Sequence, residues 1–343
     1  MVVIMKPGAR KEEIDYVIKI IEKEYGLRTD TITGVSQTII GIIGDEDCVD
    51  FDRLSMLPGV ERAHRIQLPY KLVARSYFPD DRIIDVKGVK IGGNERPVFI
   101  AGPCSIESKD QLYRIAKEVK KAGADILRGG AFKPRSSVHS FQGLGEEGLE
   151  LLATIGEEFG MPTVTEVRGE AQVETVAKYA DILQIGARNM YDQDLIEEVA
   201  RQGKPILLKR NFGAGIDEFL NFSERAVAEG NRDVILCERG LLPIGKGRQH
   251  TRYMLDLSAV PVIKRESYLP IIVDPSHATG NRDLIYPMSK AAIAAGAHGL
   301  MIEVHYNPAE ALSDGPQMIL PSELERIVDV CTKIYELNSG LIG

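Results

Sequence analysis

Between residues 98 and 305 the chain repeats one pattern eight times: a short apolar run, a polar or charged ending, then a stretch whose apolar positions follow helical spacing. The runs extend from Val98 to Cys104, Asp125 to Arg128 and on to Lys133, Pro162 to Glu166, Asp181 to Arg188, Pro205 to Arg210, Val234 to Arg239, Pro270 to His277, and Gly299 to His305. Near-continuous apolar strands alternating with amphipathic helices predict a parallel sheet buried on both faces. Eight such units predict an α/β fold of the (β/α)8 TIM barrel type, whose polar strand endings converge on one mouth.

The first seventy residues follow another rhythm. Spacing predicts a strand over Val2–Met5, a helix over Lys11–Tyr25 with Ile14, Val17, Ile18 and Ile21 on one face, and a strand over Thr38–Ile43. A short helix over Phe51–Leu57 and a strand over Val60–Ile66 follow, with room for a further strand over Leu27–Ile32. This βαββαβ order predicts a small ferredoxin-like α+β domain over residues 1–70. It gathers no convergent His, Cys or carboxylate set, so it is read as regulatory or associative. Residues 71–81, marked by the prolines from Pro69 to Pro79, are read as a linker, and residues 82–343 as the catalytic barrel. Ile83–Ile91, interrupted by Gly88, is read as a hairpin closing the bottom of the barrel.

Composition narrows the class further. With 343 residues, 44% hydrophobic and 27% charged, the chain can bury a large core, and its net charge of -8 argues against general nucleic-acid binding while allowing a local basic pocket. No apolar run reaches the roughly 18 residues of a membrane span, and Met1–Pro7 lacks the apolar core of a signal peptide. Four cysteines, Cys48, Cys104, Cys237 and Cys331, form no Cys-x-x-Cys pair and fit a reducing, cytoplasmic location.

The strand endings carry two kinds of chemistry. Arg128, Lys133, Arg135, Arg188, Lys209, Arg210 and Arg239 are cations that a barrel mouth gathers to neutralise phosphates or carboxylates, which predicts a phosphorylated substrate. Arg210 is the weakest member, because strand alternation points it opposite to Lys209. Cys104, Glu166, His277, Glu303, His305 and Asp314 are groups that bind metals or move protons, a set suited to Mn²⁺, Fe²⁺, Co²⁺ or Zn²⁺. His277 follows Asp274-Pro-Ser, a pairing in which a nearby carboxylate orients the ring. Glu303 and His305 share strand parity, so the residues alone leave both open. Taken singly, Cys104 also reads as a small buried residue in a tight turn. His64, His139, His250 and His298 read as surface or packing residues, Cys237 as core, and Cys331 as the apolar face of the last helix. Gly240–Lys246 imitates the start of a phosphate loop, but Gly247 stands where Ser or Thr is required and Pro243 removes a backbone donor; a lid over the mouth is the better reading.

Several motifs together resemble one family, the 3-deoxy-D-arabino-heptulosonate 7-phosphate (DAHP) synthases, first enzymes of the shikimate pathway. The motifs are Ala101-Gly-Pro-Cys-Ser105, Leu127-Arg-Gly-Gly-Ala-Phe-Lys-Pro-Arg-Ser136, Ser140-Phe-Gln-Gly143, Gln184-Ile-Gly-Ala-Arg188, Leu208-Lys-Arg210, Cys237-Glu-Arg-Gly240, Asp274-Pro-Ser-His277 and Leu312-Ser-Asp-Gly315. The resemblance implies a metal held by Cys104, His277, Glu303 and Asp314, selecting Glu303 over His305. It implies that Arg128, Lys133, Arg188, Lys209 and Arg239 clamp phosphoenolpyruvate, with Ala187 beside them. Pro134, Arg135 and Ser136 would meet erythrose 4-phosphate, and Glu166 would lie near the attacking water, making Lys133, Glu166, Cys104 and His277 the catalytic set. Related synthases of 3-deoxy-octulosonate 8-phosphate share the barrel but typically show Lys-Ala-Asn-Arg where this chain has Lys133-Pro-Arg, which favours the four-carbon aldose over arabinose 5-phosphate. A homotetramer and an aromatic amino acid effector at the N-terminal domain are also implied. The chain departs from the family pattern in two places. Thr251-Arg-Tyr-Met-Leu-Asp256 replaces a more usual Thr-Arg-Asn-Thr-Leu-Asp, and Asp30 and Ile32 stand where His and Ser mark tyrosine-sensing members.

A metal-dependent aldolase on the same barrel would share the Cys, His and cation groups without needing phosphoenolpyruvate. A non-catalytic amino-acid sensor would be expected to lack several of the mouth cations, all of which are present.

Overall fold

In the N-terminal part, alternation and helical spacing produce a four-stranded antiparallel sheet under two helices. The computed structural model describes residues 2–33, 38–43, 48–64, 69–133, 141–243 and 250–340. Contacts divide the chain into two compact units, Met1–Pro69 and Tyr70–Gly343.

The first unit runs β1 (Val2–Met5), α1 (Lys11–Glu24), β2 (Arg28–Thr33), β3 (Thr38–Ile43), α2 (Phe51–Ser55) and β4 (Val60–His64), with strand order β2-β3-β1-β4. Every second residue of β1 and β3 turns inward, so Val3, Met5, Ile40 and Ile42 meet Val17, Ile20 and Ile21 of α1. Ile14 and Ile18 are only partly buried; the stripe is centred one position later, and Ile20 joins the core. Asp50 ends the turn before α2 by accepting the Arg53 amide at 3.0 Å, a side-chain cap.

The second unit begins with the stretch read as a linker, which is built onto the barrel. Tyr70, Val73 and Ala74 are buried, and the amides of Lys71 and Leu72 both donate to Glu224. A hairpin of β5 (Ile84–Val86) and β6 (Val89–Ile91) follows. The barrel strands are β7 (Val98–Gly102), β8 (Ile126–Arg128), β9 (Thr163–Val167), β10 (Ile182–Ile185), β11 (Ile206–Lys209), β12 (Val234–Glu238), β13 (Ile271–Val273) and β14 (Gly299–Glu303). They close as a parallel barrel, with β14 pairing β7 from Gly299↔Val98 to Glu303↔Gly102. The intervening helices are α3 (Lys109–Lys121), α4 (Glu146–Glu158), α5 (Val173–Tyr179), α6 (Gln193–Arg201), α7 (Ile216–Ala228), α8 (Ala259–Glu266), α9 (Pro275–Thr279) and α10 (Arg282–Ala294), and α11 (Pro321–Gly340) ends the described chain.

The barrel interior divides by depth. Val98, Ile100, Ile126, Val164, Ile182, Leu207, Ile235, Ile272 and Met301, from the earlier positions of their strands, form one apolar cluster with Ile84, Val86 and Ile91 of the hairpin. This apolar filling leaves the carboxyl ends of the strands for polar side chains. Cys237 belongs to the cluster and Cys331 is buried on α11, both as the sequence suggests.

Candidate active site

Strand closure brings the polar endings around one cavity of about 220 Å³. Its walls carry Arg128, Lys133, Arg168, Arg188, Lys209, Arg239 and Arg252 against the carboxylates of Glu166 and Asp314. So many cations facing one small space favour anionic contents.

On one side of this cavity sit soft and hard donor atoms. One ligand atom each from Cys104, Glu303 and Asp314 lies within 4.8 Å of the other two. The Cys104 thiol donates to Asp314 at 3.3 Å and accepts from Lys133 Nζ at 3.0 Å. Gly130 permits this approach, because a Cβ there would fall 2.6 Å from Lys133 Nζ and 2.8 Å from the Cys104 carbonyl. Asp314 adopts the left-handed backbone region at φ 49°, a strained conformation often stored at functional sites.

His277 stands next to this trio, with Nε2 3.4 Å from Glu303 Oε1. Its position follows from local sequence. Asp274 caps α9 by accepting the His277 amide at 2.9 Å, and Pro275 sets the first helical residue. The same carboxylate holds His277 Nδ1 at 2.7 Å and accepts from Lys209 Nζ at 2.6 Å. With Nδ1 engaged by Asp274, Nε2 is left to face the donors.

Burial and charge tune these groups. Burial, followed by the Glu303 charge, pushes the Cys104 thiol up to about 12. A thiolate there therefore needs a cation within bonding reach. For Glu303, burial works upward but is outweighed by His277, Arg128 and Lys133, which bring the carboxyl to about 2. Burial of Asp274 is likewise overcome, chiefly by His277 and Lys209, and its carboxyl lies well below the ordinary range. His277 is lowered by burial, against the pull of Asp274 and Glu303.

The donor set fits a divalent cation. It offers a thiol, two carboxylates and an imidazole. The buried Glu303 Oε1 has no hydrogen-bond partner among the described residues, although Arg128 Nη2 lies 3.0 Å away. Glu303 Oε2, by contrast, accepts from Gln317.

Of the other expected positions, Ala187 and Arg188 line the cavity at the end of β10, and Glu166 does so at the end of β9. Gly186 leaves room for Glu166, since a Cβ there would lie 2.1 Å from Glu166 Oε1. His305 is buried elsewhere, its Nδ1 accepting the Asn307 amide at 2.9 Å. Arg210 turns away from the cavity and binds Glu238 at 2.8 Å and Asp256 at 2.9 Å, as strand alternation required. Pro134, Arg135, Ser136 and His139 lie outside the described residues, as do residues 244–249 of the phosphate-loop imitation and the side chains of Asp30, Ile32 and His64. Sequence reasoning gave no site role to Arg168, Asn189, Phe212, Arg252 or Tyr253, although the last two fall in the quoted Thr251–Asp256 stretch. Arg168 had a signal: it sits two residues beyond Glu166 and shares its parity. Phe212, Arg252 and Tyr253 come from connecting segments, where no period applies.

Comparison with known proteins places this arrangement. The DAHP synthetase I family model matches residues 79–338, and the DAHP synthase ferredoxin-like domain matches residues 1–68. The chain belongs to the DAHP synthetase I family. Within it, a phospho-2-dehydro-3-deoxyheptonate aldolase of Thermotoga maritima is 47% identical over 336 residues, covering 96% of this chain and 98% of that protein. The crystal structure of the Thermotoga maritima DAHP synthase matches with a TM-score of 0.77 at 46% identity, covering 99% of this chain and 97% of that one. A 2-dehydro-3-deoxyphosphooctonate aldolase of Fusobacterium nucleatum is more distant, 32% identical over 76% of this chain and 99% of its own length. Both the barrel and the small domain are thus those of DAHP synthases.

Proposed function

We propose that this chain condenses phosphoenolpyruvate with erythrose 4-phosphate and water to DAHP and inorganic phosphate, the first step of the shikimate pathway. The observation that carries the reading is the cation-lined cavity whose wall includes Cys104 and Asp314, two of the three donors that group with the buried Glu303. Cys104, His277, Glu303 and Asp314 would hold the cation, of which Mn²⁺, Fe²⁺, Co²⁺ and Zn²⁺ suit the donors. When bound, such an ion supplies Lewis acidity to the aldehyde oxygen.

The chain's own residues do the rest. Arg128, Lys133, Arg188, Lys209 and Arg239 hold the phosphate and carboxylate of phosphoenolpyruvate, fixing C3 toward the aldehyde carbon. Bond formation between those carbons opens the aldehyde C=O, whose oxygen takes a proton to become a hydroxyl, and leaves positive character at C2, where water adds. Glu166, supported by Gln184 at 3.4 Å, stands on the cavity wall to take the water's proton. Collapse of the resulting hemiketal phosphate breaks the C2–O bond to the phosphate, and the C2 hydroxyl gives up its proton as the ketone forms and phosphate leaves. Pro134, Arg135 and Ser136 are assigned to the sugar phosphate by family resemblance.

A cytoplasmic location belongs to the proposal and is supported by the spacing of the four cysteines, which form no Cys-x-x-Cys pair. No described helix is long and apolar enough to cross a membrane. A homotetramer and an aromatic amino acid effector at residues 1–70 are proposed from the family and its ferredoxin-like domain.

Phosphate release from phosphoenolpyruvate with either erythrose 4-phosphate or arabinose 5-phosphate tests the reading. Release with the four-carbon sugar alone, lost on chelation and restored by Mn²⁺, is expected. Equal turnover of the five-carbon sugar, or full turnover without metal, overturns it.

A further inference from the structure

Three of the cations assigned to phosphoenolpyruvate are held in different ways. Arg128 lies 3.0 Å from the Glu303 carboxylate and Lys209 is 2.6 Å from Asp274, so both are partly neutralised. Arg239 has no carboxylate partner among the described residues. It is 6% exposed, and its Nη1 is buried without a hydrogen-bond partner among the described residues. What it has is an aromatic face: its guanidinium carbon lies 4.2 Å from the Tyr253 ring centroid. The other component of this wall is Phe212, stacked with Tyr253 at 5.6 Å between centroids and 17° between planes.

The stack is braced from several directions. Tyr253 donates its amide to the Ala278 carbonyl at 2.8 Å, beside His277, and Leu242 donates to the Phe212 carbonyl at 2.8 Å. Leu241 and Met254 exchange backbone hydrogen bonds at 2.9 Å. Gly240, at φ 93°, lets Tyr253 approach Arg239, since a Cβ there would lie 2.7 Å from the Tyr253 Cβ.

We propose that Tyr253, backed by Phe212, is a positioning residue that orients Arg239 for the anionic enol phosphate without neutralising it. The physical distinction is that a ring face attracts the guanidinium yet takes none of its N–H donors, whereas a carboxylate would occupy them. The donors stay available for substrate anion, which offers the buried Nη1 a partner that none of the described residues supplies. The inference rests on the proposed function, because it needs Arg239 to bind phosphoenolpyruvate.

The test compares wild type, Tyr253→Phe, Tyr253→Leu and Tyr253→Asn in steady-state phosphate release, with thermal melts to confirm folding. Tyr253→Phe keeps the ring and is expected to retain the wild-type KM for phosphoenolpyruvate. Tyr253→Leu is expected to raise that KM about 5- to 20-fold while leaving the KM for erythrose 4-phosphate unchanged. Tyr253→Asn, which likewise removes the ring, should behave as Tyr253→Leu does and serves in its place if the latter fails to fold. An unchanged KM for phosphoenolpyruvate in both ring-less variants overturns the inference, as does Phe being as impaired as Leu, or both substrates' KM values rising together. A wild-type chain that releases no phosphate overturns the functional reading instead, so the two failures are distinguishable.

Discussion

At the scale of single residues, chemistry was legible where one short motif brings its own partner. Asp274-Pro-Ser-His277 contains the cap, the helix start and the carboxylate that orients the ring, and the three features coincide in the folded chain. Asp274 also ties Lys209 to His277, so one carboxylate serves a substrate-type cation and a metal-type ligand. Asp274→Asn keeps the shape and removes the charge, leaving Nδ1 without its anionic acceptor. Metal affinity is expected to fall about 10- to 100-fold, read by metal titration, with the folded state retained. Unchanged affinity would show that the imidazole is oriented by something other than this carboxylate. Glu303 against His305 was not decidable from the two residues, because parity treats them alike. The chain leaves the strand after Glu303, and His305 is engaged by the Asn307 amide instead.

At the scale of elements, period decided more than propensity. Apolar runs predicted every barrel strand, and alternation correctly turned Arg210 out of the mouth, where it joins buried Glu238 and Asp256. Burial raises the Glu238 carboxyl and Arg210 opposes it. The start of β14 carries another buried group whose behaviour can be measured. His298, read as surface or packing from sequence, accepts the Ile271 amide on Nδ1 at 3.0 Å, joining the two neighbouring strand starts. Its burial, aided by the Lys264 ammonium, lowers it to about 4 from 6.5. Between those values the unfolded chain binds the extra proton, so this contribution to stability is whole above pH 6.5 and lost as pH falls toward 4. The loss amounts to about 3 kcal/mol at most. His298→Asn retains an acceptor and is expected to flatten the denaturant midpoint of the barrel unit between pH 6.5 and 4.5. An unaltered pH slope in that variant would remove His298 from the account.

For the whole molecule, the division into Met1–Pro69 and Tyr70–Gly343 separates two self-contained cores. All described candidate catalytic groups lie in the second unit. Tyr70–Ala74 packs with the barrel, so a deletion should stop before Tyr70. Removal of residues 1–69 is expected to leave about half or more of the phosphate-release activity while abolishing any response to aromatic amino acids. A folded, inactive truncation would contradict the assignment of catalysis to the barrel alone.

The amino-acid sequence by itself determined the element types, the order of the two units, the barrel class and most of the mouth's cations. Those depend on patterns that repeat within a few residues, such as the two-residue strand period and a helix cap. Tertiary structure alone decided that Cys104 meets Asp314 from 210 positions away, that Glu303 rather than His305 joins them, and that Tyr253 and Phe212 wall in Arg239. Such meetings depend on barrel closure, strand register and the paths of connecting segments, and no local period encodes them.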